Sequence, residues 1–334
     1  MTERITFTDE LQDLAHMNIL TGFSGREAYI EEMGEIFAKD PSKYMFVSAE
    51  GASYSGKLQE LKVEYPECFL ELGIAEQNAV GAAAGLALCG KTVFLNGFGP
   101  FLALRTLDQV HTDIAYQNLP VRLINTHAGV TSGGGPTHYN IMDIAIMRIM
   151  PNMTCIVPSD ADQCQKAIRA TQNIPGPVNI RVTRGKEPQV YTNKDYEFVV
   201  GKAITAVDGS DITIIACGSA VALAVSAANG LAKEGIHVRV LDMHTIQPLD
   251  ETAIIKAAKE TGGIITVEDH LDIGGLGGAV SEAIAKSGIG VKFKSLGLPR
   301  EQGFPHLGDM WELYDHYGFS PEGLKKNCRE MLGK

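Results

Sequence analysis

Three stretches of the sequence hold residue types whose spacing could do chemistry. The first is Leu72-Gly73-Ile74-Ala75-Glu76-Gln77-Asn78-Ala79-Val80-Gly81, followed by Ala82-Ala83-Ala84-Gly85-Leu86-Ala87. Small residues fall on every face of the helix predicted here, so the helix can pack closely and be buried. A carboxylate entering such surroundings loses hydration, which favours its neutral form. Glu76 then has two readings. It is an acid that merely suits the positive end of a helix, or one that exchanges a proton with a bound heterocycle. The local sequence leaves both open.

The second stretch is Asn125-Thr126-His127-Ala128-Gly129 and then Gly133-Gly134-Gly135-Pro136-Thr137-His138. The predicted strand Val121 to Ile124 feeds straight into it. Both histidines therefore belong at the carboxyl end of a parallel strand, where crevices in α/β sheets bind ligands. Three glycines before a proline let backbone amides approach a ligand closely. A lone histidine is usually structural; two in one glycine-rich bend point to a site.

The third group is a pair of arginines. Arg184 follows the strand Val178 to Val182 at the same sheet edge, and Arg26 begins the first long helix. Each alone reads as a surface residue. At a shared strand-end crevice they would suit a phosphate, because guanidinium donors match its geometry. The cluster Gly274-Gly275-Leu276-Gly277-Gly278 opens a helix after Val267-Glu268-Asp269-His270. It lacks the full dinucleotide fingerprint and reads as close helix–sheet packing.

The elements that must position these residues are legible as an alternation. Strands are predicted at Tyr44 to Val47, Thr92 to Leu95, Val121 to Ile124, Thr154 to Val157 and Val178 to Val182. Helical periodicity lies between them, at Arg26 to Lys39, Ala75 to Leu88, Leu102 to Tyr116 and Asp160 to Gln172. After a polar stretch from Gly185 to Glu197 the alternation restarts. Strands are predicted at Ile212 to Ala216, Val238 to Leu241 and Ile264 to Val267. Helices are predicted at Ser219 to Glu234, Asp250 to Glu260, Gly275 to Lys286 and Pro321 to Leu332. Strands alternating with helices predict an α/β fold with mainly parallel sheets flanked by helices. Two domains are expected, 1–188 and 189–334, a division that suits the chain's 334 residues.

The bulk numbers exclude some functions. With 29 basic and 40 acidic residues the net charge is −11, so no basic surplus exists for nucleic acid. A few local arginines can still hold a phosphate. The six cysteines form no CxxC pair and no zinc-like spacing with histidine, which reads as free thiols in a reducing compartment. Residues 1–20 carry acids and no apolar run of signal-peptide length. No stretch reaches the roughly 18 apolar residues of a membrane helix, so the expectation is a cytoplasmic protein with no membrane partner.

Taken in order, several motifs resemble a known family. They are Gly73-Ile74-Ala75-Glu76-Gln77-Asn78, Phe101-Leu102-Ala103-Leu104-Arg105, Thr126-His127-Ala128-Gly129, Gly135-Pro136-Thr137-His138 and Met150-Pro151-Asn152-Met153. Their order and spacing resemble the C-terminal half of transketolase, especially the two-subunit bacterial and archaeal forms. The likeness spans about residues 10–300 and is most specific over 71–185. Deoxyxylulose-phosphate synthase and the β subunit of 2-oxoacid dehydrogenases share the architecture. The resemblance implies a pyrimidine-binding domain followed by a transketolase C-terminal domain.

It also implies roles. Glu76 matches the glutamate that hydrogen-bonds the aminopyrimidine of thiamine diphosphate. Phe101 matches the aromatic that stacks on that ring, with Arg105 in the same segment and Glu50 where an aspartate is usual beside the cofactor. A second aromatic is usual a turn later, where this chain has Leu104 and Leu107. His127 and His138 match histidines that contact substrate. Arg26 and Arg184, with Ser53 or Ser55, match the phosphate-binding group for sugar phosphates.

Two departures matter. The family loop usually reads Asp-Gly-Pro-Thr-His, but here Gly134 stands in the aspartate's place, which implies an atypical sugar substrate. The family's Gly-Asp-Gly motif, which holds the diphosphate and Mg²⁺, occurs nowhere in the sequence. The resemblance therefore implies an N-terminal partner chain that supplies that half of the site, in a heterotetramer with two copies of each chain. Two other readings stand beside it, a 2-oxoacid dehydrogenase β subunit and a non-catalytic transketolase-like subunit.

Overall fold

The computed structural model describes residues 24–49, 56–131, 134–185, 187–191 and 195–334. Its first half runs α1 (Gly25–Lys39), β1 (Tyr44–Ser48), α2 (Gly56–Glu64), β2 (Phe69–Glu71), α3 (Glu76–Leu88) and β3 (Thr92–Phe98). Two wide π turns, Phe101–Arg105 and Val110–Ala115, flank the short α4 (Leu107–Gln109). Then come β4 (Val121–Thr126), α5 (Asp143–Arg148), β5 (Thr154–Ile156), α6 (Ala161–Thr171) and β6 (Val178–Arg181). The second half runs β7 (Ile204–Val207), β8 (Ile212–Ala216), α7 (Ala220–Ala232), β9 (Val238–Asp242), β10 (Thr245–Gln247) and α8 (Glu251–Glu260). It continues through β11 (Ile264–Leu271), α9 (Leu276–Ser287), β12 (Phe293–Leu298), α10 (Met310–His316) and α11 (Pro321–Leu332). Among the described residues, no helix is long and apolar enough to cross a membrane.

The predicted helices form within a residue or two of their expected bounds, as do most of the strands, while β3 runs on to Phe98 and β11 to Leu271. The segment expected as one helix from Leu102 to Tyr116 is instead interrupted by the two π turns. Such turns insert a residue that apolar periodicity does not reveal. Short elements escape the pattern for the same want of length; β2 and β10 have three residues each.

Among the described residues, seven strands form the first sheet in the order β10-β5-β6-β4-β3-β1-β2, and five form the second in the order β12-β11-β8-β9-β7. Both are parallel except for β10 on β5 and β7 on β9. The chain turns back between β1 and β3, so a crevice is expected at the carboxyl ends of these strands. Strand β10 comes from the second half of the chain and covers β5, which would otherwise be an open sheet edge. The two halves thus share a sheet.

Charge is buried where they meet. Arg181 at the end of β6 pairs with Asp143 of α5 at 2.9 Å, both side chains almost wholly inaccessible. The same guanidinium donates to the carbonyls of Asn140 and Asp269, each at 2.7 Å. A second junction forms where Gln163 Nε2 and the Tyr191 hydroxyl donate to Asp242 Oδ2, each at 2.8 Å. Burial pushes the Asp242 carboxyl up to about 7. Removing one partner of a buried pair strands the other's charge, at a cost of about 3–5 kcal/mol. Asp143→Ala is therefore expected to lower the urea midpoint sharply; an unchanged midpoint would contradict a structural role for the pair.

Candidate active site

Glu76 is the first residue of α3 and only 4% exposed. The chain reaches it from β2 through Gly73, whose positive φ of 68° makes the turn. Arg105, at the end of the first π turn, donates from Nη1 to Glu76 Oε2 at 2.6 Å. Its guanidinium also lies 4.4 Å from the centre of the Phe101 ring. Gln77 fastens the two segments by donating to the Arg105 carbonyl at 3.1 Å.

A second aromatic stands beside this group, and it is not where sequence reasoning looked. Phe98, at the end of β3, has its ring centre 5.9 Å from Phe101, 4.0 Å from His127 and 6.1 Å from His138. Phe101 in turn lies 5.3 Å from His138. The turn Gly99-Pro100 makes this cluster possible, since a Cβ on Gly99 would fall 2.0 Å from Asn140 Nδ2. An aromatic three residues before Phe101, across a Gly-Pro turn, was the available signal. Leu104 and Leu107 instead line an apolar groove of about 680 Å³ with Ile146, Ile149 and Met150.

His127 follows β4 in a left-handed conformation, φ 62°, and is buried. Its Nδ1 lies 2.9 Å from the Thr126 hydroxyl, which donates its own proton to the Gly97 carbonyl at 3.0 Å. The hydroxyl therefore accepts from Nδ1, and the neutral ring keeps its lone pair on Nε2. Burial drives His127 down to about 3, and the charges of Arg26, Arg184 and His138 push the same way. Gly25 brings the two arginines to this end of the sheet: a Cβ there would stand 3.2 Å from Val182 Cγ1, just ahead of Arg184. Arg105, Arg148, Arg169, Arg181, Arg239 and Arg329 all pair with carboxylates. Arg26 and Arg184 have no carboxylate partner among the described residues.

One wall therefore runs from Glu76 through Arg105 and Phe101 to Phe98, the two histidines and the two arginines. It starts at a carboxylate and ends at positive charge. Glu50, Ser53 and Ser55 lie outside the described residues. The glycine cluster stands apart from this wall. Glu268 accepts from the Leu276 and Gly277 amides at 2.7 and 2.8 Å, so the start of α9 already holds an internal anion. Packing is tight there, for a Cβ on Gly275 would fall 2.0 Å from Glu268 Oε2.

Comparison with known proteins covers most of the chain. Residues 22–189 match the transketolase pyrimidine-binding domain and residues 201–324 the transketolase C-terminal domain. A subunit of an apulose-4-phosphate transketolase from Phocaeicola vulgatus is 42% identical over 310 residues, covering 92% of this chain and 97% of that protein. A 6-deoxy-6-sulfo-D-fructose transketolase subunit from a Clostridium species is 36% identical over 307 residues, covering 92% and 94%. A solved structure described as a split-gene transketolase, an inactive β4 tetramer, is 34% identical with a TM-score of 0.84, covering 94% of this chain and 99% of that one. The chain belongs to the transketolase family, and two of these relatives are themselves named as transketolase subunits.

The His127 environment makes a stability prediction. Unfolded, this ring titrates near its ordinary 6.5; folded, near 3. Below the higher value the unfolded chain binds a proton that the folded chain refuses. The contribution of His127 to stability is thus full above 6.5 and declines as pH falls toward 3. Urea midpoints measured from about pH 7.5 down to about pH 5 should fall more steeply for the parent than for His127→Gln. Parallel slopes would contradict a buried neutral histidine.

Proposed function

We propose that this chain is the C-terminal subunit of a cytoplasmic, thiamine diphosphate-dependent transketolase. Joined to a separate N-terminal chain, it would transfer a two-carbon ketol unit from a ketose to an aldehyde. The observation that carries the reading is the stack of Glu76, Arg105 and Phe101. A planar cation is hydrogen-bonded by a buried carboxylate and covered by an aromatic face. Those are the two contacts an aminopyrimidine needs, so the residues fit that half of the cofactor.

For the cofactor to enter, Arg105 would have to give up this place. Glu76 would then hold a pyrimidine nitrogen by a hydrogen bond, and Phe101, backed by Phe98, would cover the ring. When bound, thiamine diphosphate supplies carbanion stabilisation. His127, neutral and with its lone pair on Nε2, accepts a hydrogen bond from a substrate hydroxyl, and His138 contacts the substrate beside it. Arg26 and Arg184 hold the anionic end. Two relatives are named for a sugar 4-phosphate and a 6-sulfo sugar, and a guanidinium fork suits either anion.

The diphosphate and Mg²⁺ belong on the partner chain. This is supported by the lack of a Gly-Asp-Gly motif in the sequence. The Phocaeicola vulgatus relative, itself named as one subunit of a transketolase, also matches over 97% of its own length. Two copies of each chain would make the complex. Gly134, which offers no side-chain acceptor, suits a sugar other than the standard pentose phosphates; normal preference for xylulose and ribose 5-phosphates would sink that part.

Two variants of the reconstituted complex test the assignment. Glu76→Gln should lower ketol transfer by about 10²–10⁴-fold, whereas no effect would favour a non-catalytic subunit. Arg184→Ala should raise KM for phosphorylated substrates by about 10-fold or more, as loss of a charge-assisted hydrogen bond does. Activity with 2-oxo acids and an artificial electron acceptor, in place of ketol transfer, would move the chain to the dehydrogenases.

A further inference from the structure

The second half of the chain grips the histidine loop at several points. The loop's neck is closed by Gly129 and Asn140, whose amides and carbonyls exchange hydrogen bonds of 2.9 and 3.0 Å. On one side of the neck Asp269 accepts from the Val130 amide, 3.2 Å to each carboxylate oxygen. On the other side the Leu271 amide donates to the Ile141 carbonyl at 3.0 Å. Nearer His138, the buried Tyr139 hydroxyl donates to the His306 carbonyl at 3.1 Å. The His306 amide donates onward to the Tyr317 hydroxyl at 3.3 Å.

These bonds set the segment between β12 and α10 beside the loop, and Leu307 is the residue that meets it. A Cβ on Gly135 would stand 3.1 Å from Leu307 Cδ1, and one on Gly134 would fall 2.8 Å from His138 Cγ. Gly134 has no side chain to offer a hydroxyl, and Leu307 sets hydrocarbon against the next residue, Gly135. Leu307 is 71% exposed, so no core packing accounts for an apolar residue at this place.

We propose that Leu307 is a specificity-determining residue supplied by the second domain. It forms an apolar wall beside the Gly134–His138 turn that favours substrates carrying hydrogen or carbon, rather than a hydroxyl, at the position facing it. The inference rests on the transketolase reading of the same site. A hydroxyl brought against Leu307 and a bare glycine loses water without gaining a partner. A substrate lacking that hydroxyl incurs no such loss, and a polar group placed in the wall would reverse the preference.

The test uses the complex with the N-terminal chain and two acceptors, a three-carbon phosphorylated aldehyde with a C2 hydroxyl and its 2-deoxy counterpart. For the parent, kcat/KM should be at least as high for the deoxy acceptor. Leu307→Asn should shift the ratio toward the hydroxylated acceptor by about 10-fold, the scale on which one pocket contact discriminates. Because Leu307 is exposed, this variant should fold as the parent does, and its cofactor affinity should not change. Tyr139→Phe, which frees the His306 carbonyl, should loosen the preference with cofactor affinity likewise unchanged. A parent that transfers ketol units with a ratio unmoved by Leu307→Asn would overturn the wall alone. A parent with no ketol transfer would overturn the underlying reading, and the wall with it.

Discussion

Asp269 sits at the junction of the two halves, and the shape of the site depends on what its carboxylate holds. It takes the amide of Val130, and the Tyr314 hydroxyl donates to it at 2.6 Å. Its own carbonyl accepts from Arg181, which Asp143 neutralises. Gly129 passes so close that a Cβ there would overlap the carboxylate, at 1.7 Å, in a left-handed conformation with φ 62°. Three charged groups in a dry junction are tolerable only when each is paired. The arrangement that pairs them also fixes the loop between His127 and His138. The second half of the chain therefore does more than pack, for it holds both ends of the loop that carries His138.

From that constraint the polarity of the site follows. The parallel strands deliver their carboxyl ends to one edge, where β3 contributes Phe98, β4 leads to His127 and β6 leads to Arg184. The helix start at Glu76 lies at the carboxylate end of the wall, with Arg105 neutralising it. Arg26 and Arg184 lie at the other end with no carboxylate partner among the described residues, in a chain whose net charge is −11. Two such arginines beside a buried histidine are what the proposed anion-binding role requires.

Much of this was legible. The strand–helix alternation gave both sheets, and Glu76, Phe101, His127 and His138 stood out because family motifs surround them. Other features were hidden for physical reasons. Phe98 is an ordinary strand residue until Gly99 and Pro100 begin a helical turn that sets Phe101 beside it. The pairing of β10 with β5 joins residues about 90 apart, and nothing local announces it. Asp269 lies in a run, Val267-Glu268-Asp269-His270, where acids read as generic, and only the fold shows which amides they meet. The glycine cluster of 274–278 was readable as packing, and its filling by Glu268 gives the reason.

The central claim is that this chain holds the pyrimidine half of a cofactor site and a partner holds the diphosphate half. Calorimetric titration of thiamine diphosphate with Mg²⁺, into the chain alone and then into its mixture with the N-terminal chain, tests that most directly. Tight binding only in the mixture is the predicted result. Tight binding to this chain alone would contradict it, because a complete diphosphate site would then have to lie within these 334 residues.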